Sequence, residues 1–134
     1  MKKKMIHDTF MKEWLSDPEI AQEFLSEILP SPVLKELHVH TLTPLPTTYV
    51  SSQLRTHFSD LVWRVGTRTG SVHISLLLEH TSYRDPKAVF QLFHYVANGY
   101  LEQVKNGKPW ELMIPILYYH GTTHWKIEKY FHLF

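Results

Sequence analysis

At 134 residues the chain has room for one domain with a single core, spanning residues 1–134, and not for two. Hydrophobic residues at 43% and charged residues at 20% describe a globular chain, and no apolar run approaches the roughly 20 residues of a membrane helix, so no membrane partner is expected. A net charge of +1 excludes the strong basic excess of many dedicated DNA-binding modules. Any nucleic-acid contact must then come from a local patch, such as Lys2, Lys3, Lys4 and Lys12, or Arg64 and Arg68 with Lys87. Absence of cysteine rules out disulfides and thiolate metal sites, and no apolar segment follows the basic start, so a cytoplasmic location is expected.

Residues 8–15 carry Phe10, Met11, Trp14 and Leu15 at helical spacing. Ser16-Asp17-Pro18 breaks that helix and caps a second over residues 19–29, which Pro30 and Pro32 end. Residues 33–45 predict a short turn leading into an edge-like strand (H-V-H-T-L-T), with Pro44 and Pro46 limiting its pairing. Residues 58–65 (F-S-D-L-V-W-R-V) and 72–79 read as strands, with turn signals at Gly66 and over residues 67–70 between them. Asp85-Pro86 opens a long helix from residue 87 to about 105, closed by Asn106-Gly107, and the apolar run 112–119 reads as a buried strand. The predicted order is α-α-β-β-β-α-β. Three consecutive strands form an antiparallel meander, and the long helix supplies the crossover that a parallel return strand requires. The expected α/β chain, with a mixed sheet in this order, resembles the core order of the PD-(D/E)xK restriction-endonuclease-like fold.

Residues 76–82 (L-L-L-E-H-T-S) end an apolar strand in Glu79, with Thr81 two positions on and therefore on the same strand face. The hairpin brings Asp60 beside Glu79. Two acidic groups at neighbouring strand positions suit a hard divalent cation such as Mg²⁺, which takes few carboxylates and leaves room for water and phosphate. The bland alternatives are an Asp60 that caps a turn and a Glu79 that marks where the strand reaches solvent. Gln91 and Tyr95 are four apart on the long helix and share a face, either at the site or as a surface glutamine beside a packed tyrosine. Ten histidines include no H-E-x-x-H, although His38 and His40 share a strand face and His120 and His124 flank a loop. Trp14, Trp63, Phe90 and Phe93 are expected in the core.

Five blocks in order over most of the chain carry a resemblance: residues 7–19 (H-D-T-F-M-K-E-W-L-S-D-P-E), 53–63 (Q-L-R-T-H-F-S-D-L-V-W), 76–82, 91–95 (Q-L-F-H-Y) and 114–121 (I-P-I-L-Y-Y-H-G). Together they resemble the Rpn (YhgA-like) recombination-promoting nuclease/putative transposase family of the PD-(D/E)xK superfamily. That resemblance implies a Mg²⁺-dependent DNA endonuclease, with Mn²⁺ as a substitute. Asp60 and Glu79 would ligate the metal, the backbone carbonyl of His80 would add an oxygen, and Gln91 and Tyr95 would match the superfamily's Q-x-x-x-Y. Its members generally continue past the point corresponding to residue 134. The name transposase implies no strand transfer here; nicking or cutting is expected.

Two departures accompany the match. Thr81 stands where the family usually has glutamine, in the place of the superfamily's lysine, and its hydroxyl is shorter and uncharged. Residues 49–55 read Y-V-S-S-Q-L-R where the family commonly has acidic residues, so Ser51 and Ser52 add no metal-binding charge. These departures open the alternative of a catalytically degenerate domain that binds DNA or regulates a full-length relative. An active enzyme would pair as a homodimer to cut both strands.

Overall fold

The structure, a computed structural model, describes residues 2–80, 86–107 and 109–118, with side chains from residue 9 onward. Helix α1 (Lys2–Leu15) and helix α2 (Pro18–Ile28) are separated by Asp17, whose carboxylate accepts from the Glu19 N–H at 3.0 Å as an N-cap, with Pro18 at the first helical position. Proline does more than end α2. Pro30 caps a one-turn helix, α3 (Ser31–Leu34), a helical element where a plain turn was expected.

Four strands follow: β1 (Leu37–Leu45), β2 (Phe58–Thr67), β3 (Ser71–Glu79) and, after helix α4 (Ala88–Lys105), β4 (Leu112–Tyr118). They form one sheet in the order β1-β2-β3-β4, with β1, β2 and β3 antiparallel and β4 parallel to β3. The β2–β3 hairpin closes tightly at residues 67–70, where the Thr67 N–H donates to the Gly70 carbonyl at 2.8 Å. Edge strand β1 slips register between His38 and Thr43. Thr41 fills that bulge, its hydroxyl accepting from the Gly66 N–H at 2.7 Å, and a Cβ on Gly66 would lie 2.9 Å from that oxygen.

Because side chains alternate along each strand, the sheet presents two faces. Against one pack α1, α2 and α3, and Met11, Leu15, Leu25, Trp63, Val65, Ile74, Leu76 and Leu78 form the larger apolar core there. Against the other lie α4 and residues 46–57, with a smaller core that includes Tyr49, Phe58, Val62, Leu77, Leu92, Tyr95 and Met113.

Of the four aromatic residues expected inside, Trp63 alone is buried. Trp14, Phe90 and Phe93 are 46%, 72% and 50% exposed. The reason is the composition of the buried helix stripe: α4 turns Ala88, Leu92, Tyr95, Gly99 and Gln103 toward the sheet, which places residues 90 and 93 elsewhere on its circumference. On α1, Met11 and Leu15 take the inward positions, and Trp14 stacks on Phe10 at 6.4 Å.

Candidate metal and phosphodiester site

In the β2–β3 register Asp60 faces Leu77 and Phe58 faces Glu79, so the two carboxylates occupy diagonal positions on one sheet face, the face that α4 covers. Both are buried, Asp60 at 6% exposure and Glu79 at 2%. Glu79 thus ends its strand inside the protein and does not mark a strand reaching solvent. Burying a carboxylate is costly unless its oxygens are met by donors or by a cation.

For Asp60 those donors are visible. Its Oδ1 accepts from the Thr48 hydroxyl, and its Oδ2 accepts from the Tyr49 N–H at 2.9 Å and from the Tyr95 hydroxyl at 2.6 Å. Asp60 therefore caps no turn; it is gripped by a loop and a helix. A carboxylate offers about four lone-pair sites, and three donors fill three of them, leaving capacity on Oδ1. Burial first, then the adjacent Asp60 charge and the hydrogen bond to it, push the Tyr95 hydroxyl far above its ordinary pKa. Tyr49 is likewise raised, by burial and then by the charges of Asp60 and Glu111. Both remain protonated, and Tyr95 keeps its proton to donate to Asp60.

The other residues expected at the site fall out as follows. Tyr95, at 0% exposure, touches Asp60 directly. Gln91 is half-buried one turn earlier on α4, its N–H donating to the Lys87 carbonyl at 3.0 Å. His80 continues the strand pairing, its N–H donating to the His57 carbonyl at 2.8 Å, while its Nδ1 lies 3.1 Å from the Thr56 carbonyl. Thr81 lies outside the described residues, as do His120 and His124. Ser51, at one of the positions lacking acid, sits 3.0 Å from Nε2 of His94 on α4. His38 and His40 stack on β1 with centroids 5.9 Å apart. Among the described residues no group of three or more His, Asp or Glu is arranged to hold a metal, so a cation at Asp60 and Glu79 would draw its remaining ligands from backbone, water or substrate. The donor set fits Mg²⁺: two hard carboxylates, buried, on one face.

A second polar array, unforeseen from sequence, occupies the opposite end of the same face. Arg64 pairs with Asp60 in parity on β2, four residues on, and lies opposite His73 on β3. Arg64 Nε and Nη2 each donate to Glu111 at 3.0 Å, so this cation is met by an internal anion and the patch expected with Arg68 and Lys87 loses one member. Glu111 also accepts from the Ser71 hydroxyl and lies 3.0 Å from His73 Nε2. Burial opposes ionisation of Glu111, but the Arg64, Ser71 and His73 bonds and the Arg64 charge outweigh it and hold its pKa below the ordinary value. An ionised Glu111 accepts only, so His73 Nε2 donates to it, and His73 Nδ1 lies 2.8 Å from the Tyr49 hydroxyl, within hydrogen-bond distance. Beside the array opens a cavity of about 500 Å³, whose walls include Leu45, Pro46, Tyr49, His73 and Gln103. The signal that could have revealed this array was parity: Arg64 and His73 interrupt apolar strands on the same face as Asp60 and Glu79.

No helix among the described residues is long and apolar enough to cross a membrane. No solved structure matches the chain significantly. Curated relatives do. The chain is 35% identical over 118 residues to the inactive recombination-promoting nuclease-like protein RpnE of Escherichia coli strain K12, covering 87% of this chain and 40% of that protein. It is 33% identical to the recombination-promoting nuclease RpnD of Escherichia coli O157:H7, over 87% of this chain and 45% of the relative. To the recombination-promoting nuclease RpnA of strain K12 it is 30% identical, over 86% and 40% respectively. The chain thus matches less than half the length of each of these three relatives. The profile of the family described as "Putative transposase, YhgA-like" matches residues 5–134, and the chain belongs to that family.

Proposed function

We propose that this chain is a metal-dependent DNA endonuclease domain with a PD-(D/E)xK-type core, hydrolysing phosphodiester bonds at Asp60 and Glu79. One observation carries the reading: two buried carboxylates share one face of adjacent antiparallel strands, and three donors orient the first of them. An antiparallel β1-β2-β3 followed through a helix by a parallel β4 supports the fold assignment, and the nuclease names of RpnD and RpnA support the activity.

Asp60 and Glu79 would hold Mg²⁺, with Mn²⁺ as a substitute, and the His80 carbonyl would complete the protein ligands. Bound there, the metal supplies Lewis-acid charge at phosphorus and lowers the pKa of water. The chain's own residues do the rest. Tyr49 and Tyr95 fix the Asp60 carboxylate so that Oδ1 keeps capacity for the cation, and the apolar surround of Phe58 and Leu77 limits competing water. A double-strand cut by such a site takes two copies, hence a homodimer.

A second reading, a lapsed domain that binds DNA or a full-length relative, draws on Thr81 at the usual glutamine position and on the inactive designation of RpnE. Plasmid cleavage in Mg²⁺ and in Mn²⁺, by the parent beside Asp60→Ala and Thr81→Gln, separates the two. Cutting by the parent that vanishes with Asp60→Ala supports the nuclease. Silence in the parent with recovery in Thr81→Gln supports the lapsed domain, and silence in all three removes the nuclease reading.

A further inference from the structure

The Asp60 carboxylate takes two of its three donors from consecutive residues of a segment without regular structure, Thr48 and Tyr49 within residues 46–57. Donors on a loop orient a carboxylate only as well as the loop is itself fixed. Tyr49 is fixed three ways. Its N–H donates to Asp60 Oδ2, its carbonyl accepts from Asn98 Nδ2 of α4 at 2.8 Å, and its hydroxyl shares a hydrogen bond with His73 Nδ1 of β3 at 2.8 Å. The ring lies parallel to that of His73, with centroids 6.1 Å apart, and edge-on to that of Tyr95.

The hydroxyl anchor is itself held from behind. His73 is pinned by Glu111, Glu111 by Arg64 and Ser71, and the Glu111 backbone by Gln103, which donates to its carbonyl at 3.1 Å and accepts from its N–H at 2.6 Å. None of these side chains touches Asp60 or Glu79 in the described contacts. The array stands about 13 Å from Asp60, four residues along β2 at about 3.3 Å each. What joins the two ends is Tyr49.

We infer that Tyr49 is a positioning residue for Asp60, and that the His73–Glu111–Arg64 array serves the metal site by holding the Tyr49 ring so that its backbone N–H stays on Oδ2. The inference rests on the reading of Asp60 as a metal ligand. Outer-shell partners of a ligating carboxylate typically contribute about 10–100-fold to metal affinity or activity. Because Tyr49 acts through its backbone, replacing the ring hydroxyl leaves the donor in place and removes only its anchor. The array borders an open cavity, so water can replace a lost hydroxyl or carboxylate there without collapse of the core on the other face.

The test uses Tyr49→Phe, Glu111→Gln and the double variant in the full chain, with two readouts. The first is amide hydrogen exchange at residue 49 relative to Ile74, which sits in the central strand β3 between β2 and β4. The second is Mn²⁺ affinity by calorimetry. Each single variant is expected to speed exchange at residue 49 at least tenfold while Ile74 stays within twofold, and to weaken Mn²⁺ binding about tenfold. The double variant is expected to match the worse single, since both act on one linkage. Residue 49 exchanging at the parental rate in either single variant would overturn the inference, as would a parallel rise at Ile74, which signals general loosening. A parent that neither binds Mn²⁺ nor cuts DNA defeats the proposed function instead, and the exchange arm still decides whether the array holds Tyr49 on Asp60.

Discussion

The two faces of the sheet are built from the same strands and differ in what they bury. Against α1 and α2 the contents are hydrocarbon with one indole, Leu15, Leu25, Trp63, Val65, Ile74, Leu76 and Leu78, each at 1% exposure or less. Against α4 the same strands turn Asp60, His73, Ser75 and Glu79, and α4 adds Gln103, so every buried polar side chain among the described residues belongs to this side. The first face supplies the larger share of the hydrophobic free energy of folding, and the second combines a smaller apolar core with polar groups held in defined positions. Substitutions on the two faces should therefore separate stability from activity.

The largest expected effect is at Asp60. Asp60→Asn places an amide N–H₂ among donors that had faced oxygen and removes the anionic ligand. Cleavage should fall by more than about 100-fold, beyond the range of outer-shell changes. In the parent, Mn²⁺ at 100 times its dissociation constant should raise stability by about 2.7 kcal/mol, and Asp60→Asn should abolish that rise. A variant that kept the metal-induced shift in melting temperature would place the cation elsewhere.

On the opposite face, Leu76→Ala removes buried hydrocarbon at a site of 0% exposure and should cost about 2–5 kcal/mol by chemical denaturation. Metal affinity of the protein that remains folded should be unchanged. A specific loss of Mn²⁺ binding at preserved fold would break the division of labour between faces.

Tyr95→Phe lies between these cases. It keeps the ring in the smaller core and removes one donor from Asp60, with an expected loss of about 1–3 kcal/mol in stability or the equivalent in metal affinity. Tyr95→Phe that left both untouched would reduce the tyrosine to packing.

Much of this division was legible in the sequence, and the illegible part has a physical pattern. The hairpin at residues 67–70 fixes the β2–β3 register, and a period of two then puts Asp60 and Glu79 on one face, so pairing of the carboxylates follows from local signals. Helix α4 announced itself through Pro86 and Asn106-Gly107, and Gly107 indeed adopts φ +71° just past its end. What stayed hidden were contacts made by residues with no periodicity. Thr48 and Tyr49 sit in residues 46–57, where neither a helical nor a strand repeat says which way a side chain points. Glu111 meets Arg64, Ser71 and His73 across 38 to 47 residues, a convergence that only the folded sheet produces. The exposure of Phe90 and Phe93 is not legible in the sequence because α4 carries apolar residues on more than one side, and hydrophobicity alone does not say which side meets the sheet.

Gly99 sharpens the comparison at a smaller scale. A Cβ there would run into the Met113 side chain and come within 3.2 Å of the Tyr49 ring. Alanine in a helix interior is favoured over glycine by about 1 kcal/mol, and Met113 is flexible enough to yield. Gly99→Ala should thus change stability by no more than about 1 kcal/mol while weakening Mn²⁺ binding through the displaced Tyr49 ring. Unchanged affinity would mean that the loop tolerates a shift of a few tenths of an ångström.

The smallest effect is set by pH. The Glu111 carboxyl is depressed in the fold below its ordinary 4.5, because bonds from Arg64, Ser71 and His73 favour the anion more than burial opposes it. A carboxyl with a depressed folded pKa contributes stability that is present above its unfolded value and disappears as pH falls through the folded one. Below pH 4.5 the parent should therefore lose a small increment of stability that Glu111→Gln lacks, and the two unfolding curves should converge with acidification. The Arg64 side chain is 55% exposed, so screening keeps the increment modest and salt should shrink it. A parent and a Gln variant that ran parallel from pH 6 to pH 3 would mean that the anion is held no better in the fold than in the open chain, and the array would then owe its geometry to packing of the Tyr49 and His73 rings.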